Sequence, residues 1–307
     1  MNLGDGACWG VTMSASDTQA HRFPAGQSDA ALISGVRAGD PAAYGLLRER
    51  HLAAAQVLAR HLVDGAGSPG YTAVYMAADA VEDAVGETFT TILGALRRGG
   101  GPQAGFRPYL LVSLRRTVAA AEPYVDPALA ANLVARAFVS LPERWQAVLW
   151  HTEIEGGRPA TVAPLLGLTP NGAAGLGYAA REGLRQSYLQ LHLAESARRS
   201  CRPALDKLAV YIRGGLAGGY SAGVERHLGG CRDCATIYAE LADVRRVLRA
   251  IVGPLLLGGA AAGYLADITG GGPPGTGAGL RRAGLRRAWR PRRQRRVLDV
   301  DTNATRR

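Results

Sequence analysis

Aromatic residues are scarce in this sequence. Phe, Trp and Tyr together account for 6% of the 307 residues, whereas alanine and glycine are abundant. This composition favours small helical domains over a large β-sheet, because strands are usually enriched in aromatic and β-branched side chains. No internal repeat is present, and a chain of this length has room for two or three domains.

Features typical of enzymes and of secreted proteins are also missing. No paired catalytic carboxylates, Ser/His/Asp set or glycine-rich phosphate loop lies beside a predicted strand, so we expect no enzymatic activity. Residues 1–26 lack the basic start and apolar core of a secretory signal, and we expect 1–27 to be a disordered leader. Only four cysteines occur, three of them in metal-ligand spacing, which indicates a reducing compartment and a cytoplasmic protein.

Positive charge is concentrated at one end of the chain. The formal net charge is +11, but residues 281–307 hold eleven arginines and two aspartates, a net charge of +9 that leaves +2 for the rest. The overall charge therefore does not by itself indicate a nucleic-acid-binding fold. We expect residues 268–307 to be a Gly/Pro- and Arg-rich disordered tail, either solvated or in nonspecific contact with DNA or anionic lipid.

Three cysteines and one histidine form a metal-binding pattern. Cys201 is followed by His227-Leu-Gly-Gly-Cys231-Arg-Asp-Cys234, and on one helix the last three ligands would lie in a single stripe. Thiolates and imidazole suit tetrahedral Zn²⁺, and four protein ligands leave no position for water, as in structural sites. The alternatives are a redox Cys-x-x-Cys pair, buried thiols, or a loop that presents the same ligands, since the two glycines disfavour a helix.

This pattern resembles the zinc-binding anti-sigma domain, in which His-x3-Cys-x2-Cys follows an upstream Cys or His. The resemblance covers Cys201 to Ala250, within a predicted domain of residues 196–250. It implies a structural Zn²⁺ held by all four residues, and it implies a sigma factor as the partner of this domain.

The first part of the chain shows helical periodicity. We predict a helix after the Ser28 cap, a long helix that ends near Leu62, a third over about Met76 to Arg98, and a fourth over Phe106 to Arg116. The fourth helix combines aromatic residues with arginines, which suits single-stranded nucleic acid, unless the aromatic residues are core. The third helix carries a series of acidic residues, namely Asp79, Glu82, Asp83 and Glu87.

The order of these helices resembles region 2 of an extracytoplasmic-function sigma factor of the sigma-70 family. The Gly-Asp-Pro-x-Ala-Tyr opening occurs at Gly39 to Tyr44, within a predicted domain of residues 28–118. The resemblance implies that the acidic series binds core RNA polymerase and that the next helix melts and contacts the −10 element. The family's usual Trp and Asn are Tyr109 and Thr117 here, so the resemblance does not define the −10 specificity. The implied −10 contacts are Tyr109, Arg115 and Arg116.

A helix-turn-helix pattern follows a predicted linker at residues 119–137. Pro159 to Leu166 is a short apolar helix, Gly167 to Pro170 a turn, and Asn171 to Leu189 the helix that would enter a major groove. Leu-Pro-Glu-Arg before the pattern and Arg-Glu-Gly-Leu-Arg within it make residues 138–195 resemble sigma region 4, which reads the −35 element. Four glycines weaken the recognition helix, so we expect weak promoter affinity. The candidate duplex contacts are Asn171, Tyr178, Arg181 and Arg185.

Residues 251–267 form an apolar stretch. Its 16 uncharged residues from Ile251 to Ala266 are fewer than the roughly 20 that span a bilayer, and glycine and proline interrupt them. We favour a helix docked on the preceding domains, with a membrane segment as the alternative.

Together these patterns predict an all-α sigma factor for transcription initiation, with core RNA polymerase and promoter DNA as partners. Its zinc-stapled domain would mask the sigma surfaces through intramolecular contact, or would only stabilise the chain. Two other functions remain open. One is a helix-turn-helix DNA-binding regulator that acts without polymerase; the other is a zinc-dependent interaction protein whose DNA-reading helix has decayed.

Overall fold

The computed structural model describes residues 27–64, 71–119, 130–195 and 198–270. Three predicted segments lie wholly or partly outside the described residues. These are the leader at residues 1–26, the linker at residues 120–129 and the tail beyond residue 270. The part of the chain that is described contains helices and no strand, which confirms the all-α fold class.

Four helices form the first segment. The Ser28 side chain accepts a hydrogen bond from the Ala31 amide at 3.1 Å, so the predicted N-cap is present. Helices α2, α3 and α4 pack against one another, and Phe89 and Phe106 are buried between them. The bounds are α1 Asp29–Arg37, α2 Pro41–Asp64, α3 Tyr71–Arg97 and α4 Phe106–Ala119.

Four further helices form the second segment. Helix α5 begins inside the range predicted as linker, residues 119–137, and extends two residues beyond it. The Asn132 side chain caps it by accepting from the Ala135 amide at 3.1 Å, and Phe138 is buried in the core. Helix α6 continues into one π-helical turn, Trp150–Ile154, in which every side chain is buried. The bounds are α5 Leu133–Val139, α6 Glu143–Leu149, α7 Pro159–Leu166 and α8 Pro170–Glu195.

The predicted helix-turn-helix consists of α7 and α8. Gly167 ends α7 with φ of 66°, a left-handed conformation that favours glycine. The Thr169 hydroxyl accepts from the Gly172 amide at 3.1 Å and caps α8. Gly183 lies against Trp145, and a Cβ atom at this position would come within 2.1 Å of the indole. This glycine is therefore required for close packing, whereas the sequence alone led us to treat it as a weakness of the helix.

The remaining helices contact both preceding segments. Helix α9 packs on α8, the second π-helical turn packs on α5 and on the first π-helical turn, and α14 packs on α2. The buried apolar side chains of residues 27–270 consequently form one continuous core. The bounds are α9 Arg202–Ile212, α10 Gly218–Gly230, α11 Arg232–Ala242, α12 Val244–Val247, a π-helical turn Leu248–Val252, α13 Gly253–Leu257, a 3₁₀ turn Gly258–Ala260 and α14 Ala261–Thr269.

The apolar stretch is part of this last group of helices. By length and composition, Val244–Thr269 is the one helical span among the described residues that could cross a membrane. The chain bends at Gly258, where φ is 68°, and the side chains of Leu257 and Tyr264 are fully buried. In this structure the stretch packs against other helices, and the membrane alternative stays a prediction.

Candidate metal centre and the predicted contact residues

The four predicted metal ligands come together in space. Their ligand atoms all lie within 4.8 Å of one another. Cys201 immediately precedes α9, His227 lies in the last turn of α10, Cys231 joins α10 to α11, and Cys234 is in the first turn of α11. Ligands separated by 26 residues in the sequence thus meet at the junction of three helices.

The predicted single-helix stripe is wrong. The backbone of Cys231 is extended, with φ −127° and ψ 105°, so His227 and Cys234 belong to different helices. The pair Gly229-Gly230 ends α10 just before this bend, which agrees with the low helix propensity of glycine. The arrangement is nearer to the loop alternative, with the ligands presented by a sharp helix junction.

The distances within this Cys3His cluster fit a tetrahedral zinc site. Bond lengths of about 2.3 Å to sulfur and about 2.05 Å to nitrogen place two sulfurs about 3.8 Å apart, and sulfur and nitrogen about 3.5 Å apart. The Sγ atoms of Cys201 and Cys231 are 3.9 Å apart, and Nε2 of His227 lies 3.3 Å from Sγ of Cys234. A disulfide would need about 2.05 Å between sulfurs, and the three described cysteines are free. The cluster could therefore bind a metal ion.

The two thiols of the Cys-x-x-Cys pair have opposite pKa shifts. The amide N–H of Cys234 points at Cys231 and lowers the pKa of the Cys231 thiol. Burial raises the pKa of the Cys234 thiol to about 12, so this sulfur would stay protonated unless a positive charge lies beside it. A divalent ion supplies that charge, and its binding would release the thiol protons.

Helix α10 has little stability of its own. Five of its 13 residues are glycine, and Val224 is its one buried side chain. Glycine costs up to about 1 kcal/mol per helical position, while burying one valine contributes about 1.5 to 3 kcal/mol. A metal bond through His227 would therefore hold α10 in place, which is the role of a structural zinc.

The predicted polymerase-binding series lies on the surface of α3. All four carboxylates, those of Asp79, Glu82, Asp83 and Glu87, are exposed. None of them is in an ion pair among the described residues. This acidic face is open to a partner.

The predicted −10 contacts on α4 have different surroundings. Tyr109 is half-buried against the core, whereas Arg116 is exposed. Arg115 donates from Nη1 to the carbonyl oxygens of Leu255 at 2.9 Å and Leu256 at 3.2 Å, near the end of α13. Its Nη1 group is thus bound to the C-terminal helices.

The predicted −35 contacts on α8 divide into two pairs. Asn171 and Tyr178 are exposed. Arg181 pairs with the buried carboxylate of Glu153 at 2.6 Å, and Nε of Arg185 donates to the Leu241 carbonyl on α11 at 2.9 Å. The beginning of α8 is therefore open, and Arg181 and Arg185 on its later turns have internal partners.

Sequence reasoning missed a buried ionic cluster. Glu155, which follows the first π-helical turn, accepts hydrogen bonds from Trp150, Tyr264 and Arg107. Burial alone would raise the pKa of Glu155, but Arg107 and His151 outweigh it and hold that pKa well below its ordinary range. The available signal was a group of polar residues placed directly after the apolar run 147–150, namely His151, Thr152, Glu153 and Glu155.

Searches against protein-family models, curated proteins and solved structures found no match. The function must therefore be inferred from the residues and their geometry.

Proposed function

We propose that this protein is a sigma factor, which directs core RNA polymerase to promoters, and that its own C-terminal helices hold it in a closed form. One observation carries the proposal. Arginines predicted to contact DNA in both segments, Arg115 and Arg185, donate to backbone carbonyls of the C-terminal helices. If the C-terminal helices regulate DNA binding, they are expected to contact the side chains that bind DNA.

Both arginines are already engaged by the C-terminal helices. Nη1 of Arg115 and Nε of Arg185 bind carbonyls, which leaves other N–H groups of the five on each guanidinium but fixes the direction in which the group points. A bidentate contact to a phosphate or a base edge needs two N–H groups aimed at the DNA. We expect α11 and α13 to hold both arginines away from that geometry, so the closed form would bind promoters weakly.

The closed form nevertheless leaves other predicted surfaces accessible. The acidic face of α3, together with Asn171 and Tyr178, is exposed. Core polymerase could thus bind before the chain opens, since this contact does not compete with the C-terminal helices.

Covalent connection makes weak contacts sufficient for closure. A flexibly tethered module reaches an effective concentration in the millimolar range. Beyond the arginine contacts, the Tyr188 hydroxyl donates to Glu240 at 2.9 Å, and Arg245 pairs with Glu153 at 3.3 Å. Bound zinc would keep α10 and the start of α11 folded, and so would contribute to this contact surface.

Run-off transcription with purified core polymerase tests the proposal. We expect the full chain to bind core polymerase but to transcribe weakly, and a truncation ending at residue 197 to transcribe better at equal folded concentration. Tyr188→Phe, which removes the bond to Glu240 and leaves the ring, should raise activity modestly. The matched control is Tyr220→Phe, because Tyr220 is 62% exposed.

Each other result has a defined meaning. If the full chain binds promoter duplex but not core polymerase, it is a helix-turn-helix regulator and the sigma proposal is wrong. Lower activity of a well-folded truncation would show that the C-terminal helices assist transcription, which contradicts closure. Folding of the truncation is checked by its helix content, because α9 no longer covers α8.

A further inference from the structure

The buried ionic cluster joins segments that are far apart in the sequence. Glu155 receives Nε1–H of Trp150 at 2.8 Å, the Tyr264 hydroxyl at 2.7 Å, and Nη1–H of Arg107 at 2.9 Å. Nδ1 of His151 lies 2.9 Å from the same carboxylate. Three elements therefore meet at this one side chain: α4, the first π-helical turn and α14.

Hydrogen bonds extend the cluster through the first segment. Nε of Arg107 donates to Nδ1 of His51 at 3.1 Å, and Nε2 of His51 lies 2.8 Å from Asp29. Asp29 also pairs with Arg50 at 2.6 Å. Two carboxylates thus face two guanidinium groups, so the fixed charges balance inside the core, as buried charges require.

Tyr264 is the member of the cluster that comes from the C-terminal helices. Its side chain is fully buried, and its hydroxyl provides one of the donors to Glu155. A buried carboxylate that loses a donor must find water instead. Departure of α14 would therefore let water reach the bond between Arg107 and Glu155, which connects the two segments.

Helix α14 is also fitted to α2. A Cβ atom on Gly263 would come within 2.4 Å of Nδ1 of His61, so a larger residue here would require His61 to move. On the next turn, Asp267 pairs with Nε2 of His61 at 2.9 Å. The helix thus contacts the first segment on its surface and the ionic cluster in the interior.

We propose that α14 is a lock on the ionic cluster: while Tyr264 is in place, residues 27–119 and 130–195 stay joined, and their separation requires α14 to leave first. The inference rests on the proposed function for its biological consequence, because separated segments are those that could contact two promoter elements. The lock itself is a property of this chain and can be measured without polymerase or DNA.

Hydrogen–deuterium exchange on the full chain tests the lock. Tyr264→Phe removes the hydroxyl and leaves the ring, and Tyr220→Phe is its control on the surface. Gly263→Ala displaces the His61 ring and so breaks its pair with Asp267 on α14. Gly259→Ala is its control, because a Cβ atom at Gly259 meets no atom within 4 Å.

Both test variants should accelerate exchange in α14 and also in residues 150–157. For Tyr264→Phe we expect on the order of a tenfold increase, the effect of losing one buried hydrogen bond to a charged group. Both controls should exchange like the unmodified chain. Faster exchange in α14 alone, with residues 150–157 still protected, would show that α14 is only a surface cover and would overturn the lock, as would unchanged exchange throughout.

The same variants distinguish this inference from the proposed function. If they open the chain but the opened chain neither binds core polymerase nor transcribes, the lock stands and the sigma proposal fails. If they transcribe like the unmodified chain and show no opening while the truncation is active, the proposed function stands and the lock fails.

Discussion

Loss of one metal ligand should unfold one helix and leave its neighbour in place. His227→Ala removes the ligand that α10 contributes to the Cys3His cluster. Structural zinc contributes about 10 to 16 kcal/mol of apparent binding free energy in small domains, which far exceeds what α10 gains from burying Val224. We therefore expect α10 to exchange its amide hydrogens almost as fast as an unfolded chain.

Helix α11 should behave differently, because it has other anchors. Its buried side chains include Ile237 and Leu241, each worth about 1.5 to 3 kcal/mol when fully buried. The bonds from Arg185 to the Leu241 carbonyl and from Tyr188 to Glu240 add to this. Removal of zinc should thus loosen the closed form without fully opening it.

The assay combines metal content by mass spectrometry with exchange measured on the reduced chain. Arg226→Ala is the matched control, since this exposed residue precedes His227 on the same helix. It should retain one zinc and full protection of α10. A reduced, chelator-free preparation that contains no metal would refute the zinc assignment. Equal protection of α10 with and without metal would refute the stability argument.

Three further predictions concern other parts of the chain. Reversing the charges of Asp83 and Glu87 together should abolish binding to core polymerase and leave helix content unchanged, because both side chains are exposed. Reversal of the exposed Glu49 is the control. Binding that survives the double reversal would rule out this acidic face as the polymerase contact. Burial lowers the pKa of His51 from 6.5 to about 4, so His51 binds a proton more tightly in the unfolded chain than in the folded one. Its contribution to the free energy of unfolding is therefore complete above about pH 6.5 and falls by about 3 kcal/mol by about pH 4, as urea titrations should show. His51→Gln should flatten that slope, and an unchanged slope would contradict the assignment. Gly183→Ala should destabilise the fold by about 1 to 3 kcal/mol, because the new methyl group would overlap with Trp145. Gly175→Ala is the control and should be neutral or stabilising, since a Cβ atom there meets open space. Equal melting temperatures for the two variants would refute the packing argument.

Local signals in the sequence were sufficient to predict α1 to α4, α7 and α8, whereas α5 begins in a range predicted as linker. The caps at Ser28 and Thr169 bind amides three residues away, so their effect does not depend on the rest of the fold. Helical periodicity likewise reflects which face of a helix is apolar. The identity of the four metal ligands also followed from residue type and spacing, although the helix junction at Cys231 did not, since it depends on how α10 meets α11.

Only the tertiary structure decided which side chains are free to act. Arg115 binds carbonyls 140 residues away in the sequence, and no local pattern indicates such a partner. The same holds for Glu155, whose donors come from α4 and α14, and for Gly183, whose need for glycine arises from Trp145 on another helix. The physical reason is that hydrogen bonding and close packing depend on the distance between atoms in the folded chain, whereas propensity and capping act between neighbouring residues.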